Sequence, residues 1–201
     1  MPREALEAVL RCGLAAPSSK NARPWRLHVI QDEGLRTLIA DAAAAAPDAD
    51  TYVPRDPATG KPYPYWTSSV GESADALRAA PAAIVLENRG VFSGGLQRIR
   101  EASDESLRNS VISYGLETMG LGTALENMWI AASALGLGAA FLGDLGIVSD
   151  TIRDLLTIEG DVVGVMALGY PTGQPFPRRE PPAFTQVGAP VVWHGEAGDH
   201  G

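Results

Sequence analysis

The sequence predicts an α+β fold, in which a few strands form one mixed or antiparallel sheet with helices around it. Two observations carry this prediction. Segments with apolar residues at helical spacing alternate with short apolar runs of strand length, in the order α, β, α, α, β, long α, β, α, β. The 201 residues usually make one domain and can bury a sizeable core. We therefore expect a single domain over residues 1–201, with a proline-rich excursion at 48–71 and an irregular tail at 172–201.

The first half of the chain begins with a helix and a strand. Apolar residues at helical spacing predict a helix over residues 3–16, which Pro17 ends. Residues 25–31 alternate bulky and polar side chains and predict a strand. Three further elements are predicted before residue 88: an alanine-rich helix at 34–46, a short helix at 73–80 and a buried strand at 82–87. The segment 88–103 is expected to be irregular.

The segment 48–71 differs in composition from its surroundings. It carries several prolines together with tyrosine and tryptophan, and prolines at this density exclude a regular helix or a central strand. Loops of this length are uncommon in compact domains and often serve as lids or binding loops. The alternative is an ordered surface excursion that packs its own aromatic side chains. The sequence leaves both interpretations open.

The second half is dominated by a long helical pattern over residues 106–135. Gly120 and Gly122 predict two helices or one broken helix, because each glycine costs roughly 1 kcal/mol relative to alanine. Close approach of another helix, which a partner subunit could supply, would offset that cost. The second half of the pattern is nearly apolar all round, which predicts deep burial. Three short elements should follow: a strand at 139–142, a helix at 149–156 with Ser149 as its N-cap, and a buried strand at 162–168.

Composition limits the partners and the compartment. The net charge of −8 disfavours nucleic acids and anionic membranes as partners. We predict neither a signal peptide nor a membrane span, because no apolar stretch approaches about 18 residues. Cys12 is the single cysteine, which excludes an intramolecular disulfide and suits the cytoplasm. Its apolar neighbours predict a buried, inert thiol.

The sequence carries none of the common catalytic or metal-binding motifs. His28, His194 and His200 are far apart and have no spaced cysteine or aspartate partners, so a zinc site is not expected. The glycines of residues 136–138 follow a helix and open a strand, which is the reverse of a dinucleotide-binding fingerprint. The sequence also offers no nucleophile elbow, no P-loop and no paired acid and base. An enzyme of this sequence would therefore rely on a cofactor for its chemistry.

Three segments of the sequence resemble the nitroreductase-like family. Residues 15–25, Ala-Ala-Pro-Ser-Ser-Lys-Asn-Ala-Arg-Pro-Trp, are similar to its A-P-S-x-x-N-x-Q-P-W segment. Residues 126–138 resemble its Q-N-x-x-L-A-A-x-x-L-G-L-G helix, and residues 167–171 resemble its L-G-Y-P strand end. The segments occur in the family's order and at about its spacing, and together they span residues 3 to about 180.

The resemblance implies a fold, cofactors and an activity. The fold would be an α/β sandwich with a central, mainly antiparallel sheet flanked by helices, built as an intertwined homodimer with FMN at the dimer interface. The activity would be that of a cytoplasmic FMN-dependent oxidoreductase, which uses NAD(P)H to reduce a flat aromatic acceptor, a nitroaromatic or quinone, by two-step hydride transfer. The chemistry would be borne by the flavin, with no catalytic side chain and no metal.

The resemblance also implies which residues hold the flavin. The turn after the first helix would lie against the isoalloxazine ring across the interface, through Pro17, Ser18, Ser19 and Asn21. Arg23 stands where the family usually has Gln. Gly143 and Asp144 match the loop whose backbone N–H meets flavin N5, a donor that stabilises the electron-rich reduced ring. Arg178 and Arg179 follow the strand end and would bind the FMN phosphate, which suits the forked arginine donors.

One departure from the family keeps other functions open. The family's R-R-S-x-R segment, which grips the phosphate before the first helix, has no counterpart in this sequence, and Arg3 or Arg11 could substitute. One alternative function is an FMN-dependent oxidase or dehydrogenase of a biosynthetic intermediate. Another is a catalytically silent flavin-binding or partner-subunit relative.

Overall fold

The structure, a computed structural model, describes residues 1–171. Within these residues the chain forms six α-helices and four strands. The helices are α1 Arg3–Leu14, α2 Glu33–Ala44, α3 Val70–Ala79, α4 Gly95–Arg100, α5 Asp104–Ala134 and α6 Ser149–Leu156. The strands are β1 Trp25–Ile30, β2 Ala82–Asn88, β3 Gly138–Leu142 and β4 Asp161–Gly169. Short 3₁₀ turns cover Ser19–Asn21, Ala49–Thr51 and Gly143–Val148. Residues 1–170 make one compact unit, and the predicted tail at 172–201 lies outside the described residues.

The strands form one sheet in the order β1-β2-β4-β3, and every neighbouring pair is antiparallel. This confirms the α+β class and the predicted antiparallel sheet. Trp25 at the start of β1 pairs with Asn88 at the end of β2, and Asn88 pairs with Asp161 at the start of β4. Since β3 runs antiparallel to β4, the end of β3 lies toward the start of β4. The turn before β1 and the loop after β3 therefore leave the sheet at the same end of its strands, which we call the site edge.

Helices cover both faces of the sheet. Strand side chains alternate in direction, so that Val85 and Ile84 of β2 enter different cores. One core joins the sheet to α2, α3 and α6, and the other joins it to α1 and α5. Burial of strand residues on both faces explains why the runs at 82–87 and 162–168 are continuously apolar rather than alternating.

The long helix differs from the prediction in two ways. α5 is a single helix of 31 residues that runs unbroken through Gly120 and Gly122. The expected break was wrong because Gly120 is the contact point for another segment: a Cβ there would lie 3.3 Å from Pro24 Cγ. The expected deep burial was also wrong. Met128 and Ala132 are fully buried, but Ile130 on the other side of the helix is 58% exposed.

Three local predictions also need correction. The segment 88–103 is not wholly irregular, because it contains α4, whose first turn is held when Leu96 N donates to the Asp161 carboxylate at 2.8 Å. Because Asp161 is distant in sequence from α4, no local pattern predicts this helix. Ser149 is the first residue of α6 rather than its N-cap, and the cap position falls on Val148. Cys12 is exposed, because α1 turns its other side toward the core.

The excursion at 48–71 is partly ordered by its own backbone. An isolated antiparallel bridge joins Arg55 to Pro62 within it. The aromatic side chains near its end are not packed away: Tyr65 is 91% exposed and Trp66 is 62% exposed. No helix within residues 1–171 is both long enough and apolar enough to span a bilayer.

Candidate functional site

The turn between α1 and β1 has an unusual backbone. Lys20, Asn21 and Arg23 adopt positive φ angles of 51°, 54° and 47°. Side chains other than glycine avoid this left-handed region, at a cost of roughly 1–2 kcal/mol per residue. Such strain persists only where the surroundings impose it, and it clusters at ligand sites. The shape of this turn is therefore set by its contacts rather than by local preference.

Those contacts come mainly from the middle of α5. Thr123 Oγ1 donates to the carbonyl of Pro17 at 2.9 Å, and Gly120 lets the turn approach the helix closely. Within the turn, the backbone N–H of Arg23 donates to Ser18 Oγ at 2.9 Å. The glycine and the threonine are one helical turn apart, so a single face of α5 serves as the platform. This explains why glycine is found inside an otherwise ordinary helix.

Two polar side chains of the turn keep free hydrogen-bonding groups. Asn21 Oδ1 accepts from Arg23 Nε at 3.3 Å, but its Nδ2 donates to no group within residues 1–171. Ser19 Oγ likewise makes no hydrogen bond in the part of the chain that the structure describes. Ser18 and Ser19 are half-buried, whereas Pro17, Asn21 and Arg23 are exposed. The turn thus presents uncommitted donors on a rigid backbone, which suits a ligand with carbonyl acceptors.

The loop after β3 is held by the excursion. The Ser69 hydroxyl donates to the Asp144 carboxylate. A Cβ at Gly146 would lie 3.4 Å from the Tyr52 hydroxyl, so this ring also packs on the loop. Burial raises the pKa of Tyr52, and the negative charges of Asp144 and Asp48 add to the effect. Sequence reasoning missed these partners, because the excursion and the loop are about 75 residues apart.

A buried carboxylate joins the site edge to α5. Glu117 is fully buried, and its two oxygens accept from Asn88 Nδ2 at 2.9 Å, from the backbone N–H groups of Phe92 and Ser93 at 2.6 and 2.9 Å, and from Ser93 Oγ at 2.7 Å. Burial alone would raise the pKa of Glu117, but these hydrogen bonds to the charged form outweigh it, and the pKa is lowered. The sequence did contain a signal: Glu117 shares the buried helical face with Leu121.

A second buried carboxylate stabilises the sheet at the same edge. Glu87 of β2 lies 2.7 Å from His28 Nε2 and accepts from the backbone N–H of Gly160 at 2.9 Å. Arg26 approaches the same carboxylate at 3.5 Å. His28 is therefore a structural partner of a buried acid. Among residues 1–171, no group of three or more His, Cys, Asp or Glu side chains is arranged to hold a metal ion.

With this geometry in place, comparison with known proteins identifies the family. The sequence model of the Nitroreductase family matches residues 1–170. The chain belongs to the nitroreductase family. It is an oxidoreductase of that family, and its antiparallel sheet with flanking helices is the family fold.

Solved structures of nitroreductase relatives share this fold. The NADPH:FMN oxidoreductase from Vibrio harveyi, solved with NAD+, superposes with a TM-score of 0.65 at 18% identity, over 98% of this chain and 71% of that one. Nitroreductase A from Vibrio parahaemolyticus gives 0.64 at 19% identity, over 100% and 70%. NfrA1 nitroreductase from Bacillus subtilis gives 0.62 at 13% identity, over 90% and 63%. Identities this low show a shared fold.

The nitroreductase fold brings the predicted site residues only partly together. The turn with Pro17 and Asn21 and the loop with Gly143 and Asp144 both face the site edge, but no hydrogen bond links them within the described part of the chain. Arg178 and Arg179 lie outside the described residues.

The two candidate replacements for the family's N-terminal arginine are already engaged. Arg3 and Arg11 both pair with Glu7 on the solvent side of α1, at 2.9 and 3.8 Å. Their side chains are 85% and 81% exposed. Neither pair approaches the turn, so the structure gives these arginines an ordinary helix-surface role.

This nitroreductase-family chain also exposes an apolar strip along α5. The strip, which we call the α5 strip, consists of large apolar side chains that are each 39–69% exposed: Leu107, Val111, Ile112, Leu116, Met119, Ile130 and Leu135. Four of these side chains, Ile112, Leu116, Met119 and Ile130, share one side of the helix by its spacing, and exposed apolar surface of this kind marks protein interfaces. It also explains why the helix sequence reads as apolar on almost every side.

Proposed function

We propose that this chain is an FMN-dependent enzyme that uses NAD(P)H to reduce a flat organic acceptor of the nitroaromatic or quinone type. Family membership supports the flavin and the nicotinamide donor. The observation that carries the proposal is the turn of residues 17–23, a strained backbone fixed by α5 with uncommitted donors on Ser19 and Asn21. Packing on α5 holds the turn in this conformation, and strained backbone with free polar groups is typical of ligand sites.

The residues present fit an FMN ring. The ring edge carries carbonyl oxygens, and the Ser19 hydroxyl and the Asn21 amide are donors of matching chemistry. The loop at Gly143 and Asp144 is braced by Ser69 and Tyr52 and would offer a backbone N–H to flavin N5. Arg178 and Arg179 would hold the phosphate, an assignment that rests on the family resemblance.

The proposed site is shared between two copies of the chain. The α5 strip adjoins the platform on which the turn rests, since Gly120 and Met119 are neighbours on the helix. Pairing of two such strips would bury apolar surface worth roughly 25 cal/mol per Å². It would also set the turn of one copy beside the loop of the other, which completes the set of donors.

When bound, FMN would supply hydride acceptance from NAD(P)H and reduction of the second substrate. The protein's own residues bind and orient. The turn fixes the plane of the ring, and the N–H groups of the loop favour negative charge on it. The exposed aromatic side chains of the excursion, Tyr63, Tyr65 and Trp66, would cover a flat acceptor and exclude water.

A titration with FMN followed by anaerobic reduction tests this function. We expect the protein to take up FMN, to lose the visible flavin absorbance on addition of NADH or NADPH, and to regain it on addition of a quinone. A protein that takes up no FMN would be the catalytically silent relative instead. A flavin that binds but resists both nicotinamides would point to the oxidase alternative.

A bulky substitution tests whether the turn lies against the flavin ring. Ser19→Trp should lower FMN affinity at least tenfold, because an indole would occupy the space of the ring. Thr151→Trp on the exposed side of α6 is the matched control and should leave FMN affinity unchanged. Fluorescence quenching of FMN gives both affinities. Equal affinities in the two variants would remove the turn from the site.

The phosphate assignment is tested by comparing two ligands. Arg178→Ala with Arg179→Ala should weaken FMN binding and leave riboflavin binding unchanged, since riboflavin has the same ring without the phosphate. An unchanged FMN affinity would reject both arginines as phosphate ligands.

A further inference from the structure

A cavity of about 410 Å³ opens at the site edge, between α4, α6 and the ends of β2 and β4. None of the residues assigned to the flavin lines it. Its polar wall carries four arginines: Arg26, Arg89, Arg100 and Arg153. The whole chain has 16 lysines and arginines and a net charge of −8. The same wall carries four acids, Glu87, Asp150, Glu159 and Asp161, so its formal charges balance, and its affinity for an anion depends on which of these groups are already paired.

The acids of the cavity are mostly committed to the fold. Glu87 is occupied by His28 and the Gly160 N–H, and Asp161 accepts from the Leu96 N–H at 2.8 Å. Asp150 faces Arg153 at 3.6 Å. Glu159 alone among the lining acids makes no ion pair or hydrogen bond within residues 1–171.

The arginines, in contrast, are left with open donors. Arg89 and Arg100 make no side-chain hydrogen bond or ion pair in the described part of the chain. Arg153 reaches Asp150 only at 3.6 Å, longer than the usual 2.7–2.9 Å of a charge-assisted hydrogen bond. Its Nε is also cut off from solvent and has no hydrogen-bond partner. An atom that water cannot reach is also out of reach of an anion, so the donors that an anion in the cavity could meet are the guanidinium groups of Arg89 and Arg100 and the terminal nitrogens of Arg153.

The wall of the cavity is closely packed. A Cβ at Gly160 would lie 2.2 Å from the Asn88 carbonyl, and a Cβ at Gly90 would lie 2.5 Å from Gly95 N. The backbone N–H of Arg89 donates to the Pro24 carbonyl at 2.8 Å, which ties the cavity to the end of the turn. The arginines therefore project from a wall that cannot easily move.

We propose that this cavity binds a phosphate group, with Arg89, Arg100 and Arg153 as its ligands. The forked guanidinium donates two parallel hydrogen bonds to phosphate oxygens, and the two groups with no ion-pair partner in the described part of the chain, Arg89 and Arg100, match the charge of a phosphate monoester dianion. The phosphate could belong to FMN, in which case this cavity replaces Arg178 and Arg179 as its site, to NADPH or to free inorganic phosphate. Only the first two sources rest on the proposed function.

Calorimetric titration with inorganic phosphate at low salt tests the site without any flavin. We expect the wild-type chain to bind phosphate and the double variant Arg89→Gln with Arg100→Gln to bind it at least tenfold more weakly. Arg98→Gln is the matched control, because Arg98 lies on α4 but pairs with Glu101 outside the cavity. Arg100→Lys keeps the charge and removes the fork, and it should give an intermediate loss. Thermal unfolding shows that each variant is folded.

Nucleotides then identify the source. If the double variant loses affinity for FMN but not for riboflavin, the cavity binds the flavin phosphate. If it loses affinity for NADPH but not for NADH, the cavity binds the phosphate of the nicotinamide donor. If only the affinity for inorganic phosphate falls, the ligand is a free anion. The proposal is overturned if the wild-type chain binds no phosphate, or if the double variant binds phosphate, FMN and NADPH as tightly as the Arg98→Gln control. Failure to take up flavin would reject the proposed function and leave the phosphate titration to stand on its own.

Discussion

At the scale of single residues, Glu117 shows how a carboxylate can be buried without a cation. Its charge is balanced by donors that the segment after β2 supplies, and in return it fixes that segment to α5. A buried acid with unsatisfied oxygens would be strongly destabilising, whereas one with four donors orders the chain around it. Its removal should therefore affect the fold more than the loss of any exposed charge.

Replacement of Glu117 by alanine tests this role. We expect Glu117→Ala to lower the free energy of unfolding by about 3 kcal/mol, because the amide of Asn88 and the hydroxyl of Ser93 would lose their acceptors in a buried place. Glu126→Ala, an exposed site on the same helix, should change it by less than about 0.5 kcal/mol. Urea denaturation measures both. Similar losses in the two variants would contradict the assignment.

The same carboxylate should make stability depend on pH. The pKa of Glu117 is lowered in the folded chain from an ordinary value of 4.5. A group with a depressed folded pKa contributes its full stability above the unfolded pKa and loses it as the pH falls through the folded pKa. The difference in unfolding free energy between wild type and Glu117→Gln should therefore be constant above the ordinary pKa and shrink at lower pH. A difference that grows in acid would reverse the sign and refute the argument.

At the scale of the elements, local patterns predicted most helices and strands within a few residues. Periodicity found α1, β1, α2 and β2 because each has a simple apolar face or run. α4 was missed, since the group that holds its first turn is Asp161, a residue 65 positions away. The break in α5 was wrongly predicted because glycine has two uses: it weakens a helix, and it lets another segment approach.

The flavin-binding role of the candidate site stays a prediction. The resemblance singled out the turn and the loop, which the structure places at the same end of the sheet, but it did not indicate the residues that support them. Tyr52 and Ser69, which hold the loop, belong to the excursion, whose proline and aromatic content indicates a loop but does not indicate what it contacts. Long-range partners of this kind are set by the packing of the whole domain, which no local pattern encodes.

The role of Gly120 gives a prediction at this scale. Gly120→Val should lower stability by about 2 kcal/mol relative to Gly115→Val, because its side chain would press on Pro24 and Ser18 whereas a Cβ at Gly115 meets nothing within 4 Å. Both changes have the same helix propensity cost, so the difference isolates the contact. FMN affinity should also fall only in the first variant. Equal unfolding free energies in the two variants would show that the turn can move away from the new side chain without destabilising the protein.

At the scale of the whole molecule, the α5 strip leaves large apolar side chains exposed to solvent on the single chain. Six large apolar side chains are exposed along α5, and Leu135 is exposed directly after it, beside the turn that carries the proposed flavin contacts. A second copy of the chain would cover them and place the two halves of the site together. Charges introduced into the strip by Ile112→Glu with Met119→Glu should therefore yield a monomer, and this monomer should also lose FMN.

Sedimentation of the FMN-loaded protein, followed by the visible absorbance of the flavin, tests whether two copies share the site. The flavin should sediment with a particle of twice the 21.1 kDa chain mass, and the Ile112→Glu, Met119→Glu variant should release it. Flavin that sediments with a single 21.1 kDa chain, or that stays bound to the monomeric variant, would contradict a site shared between two copies.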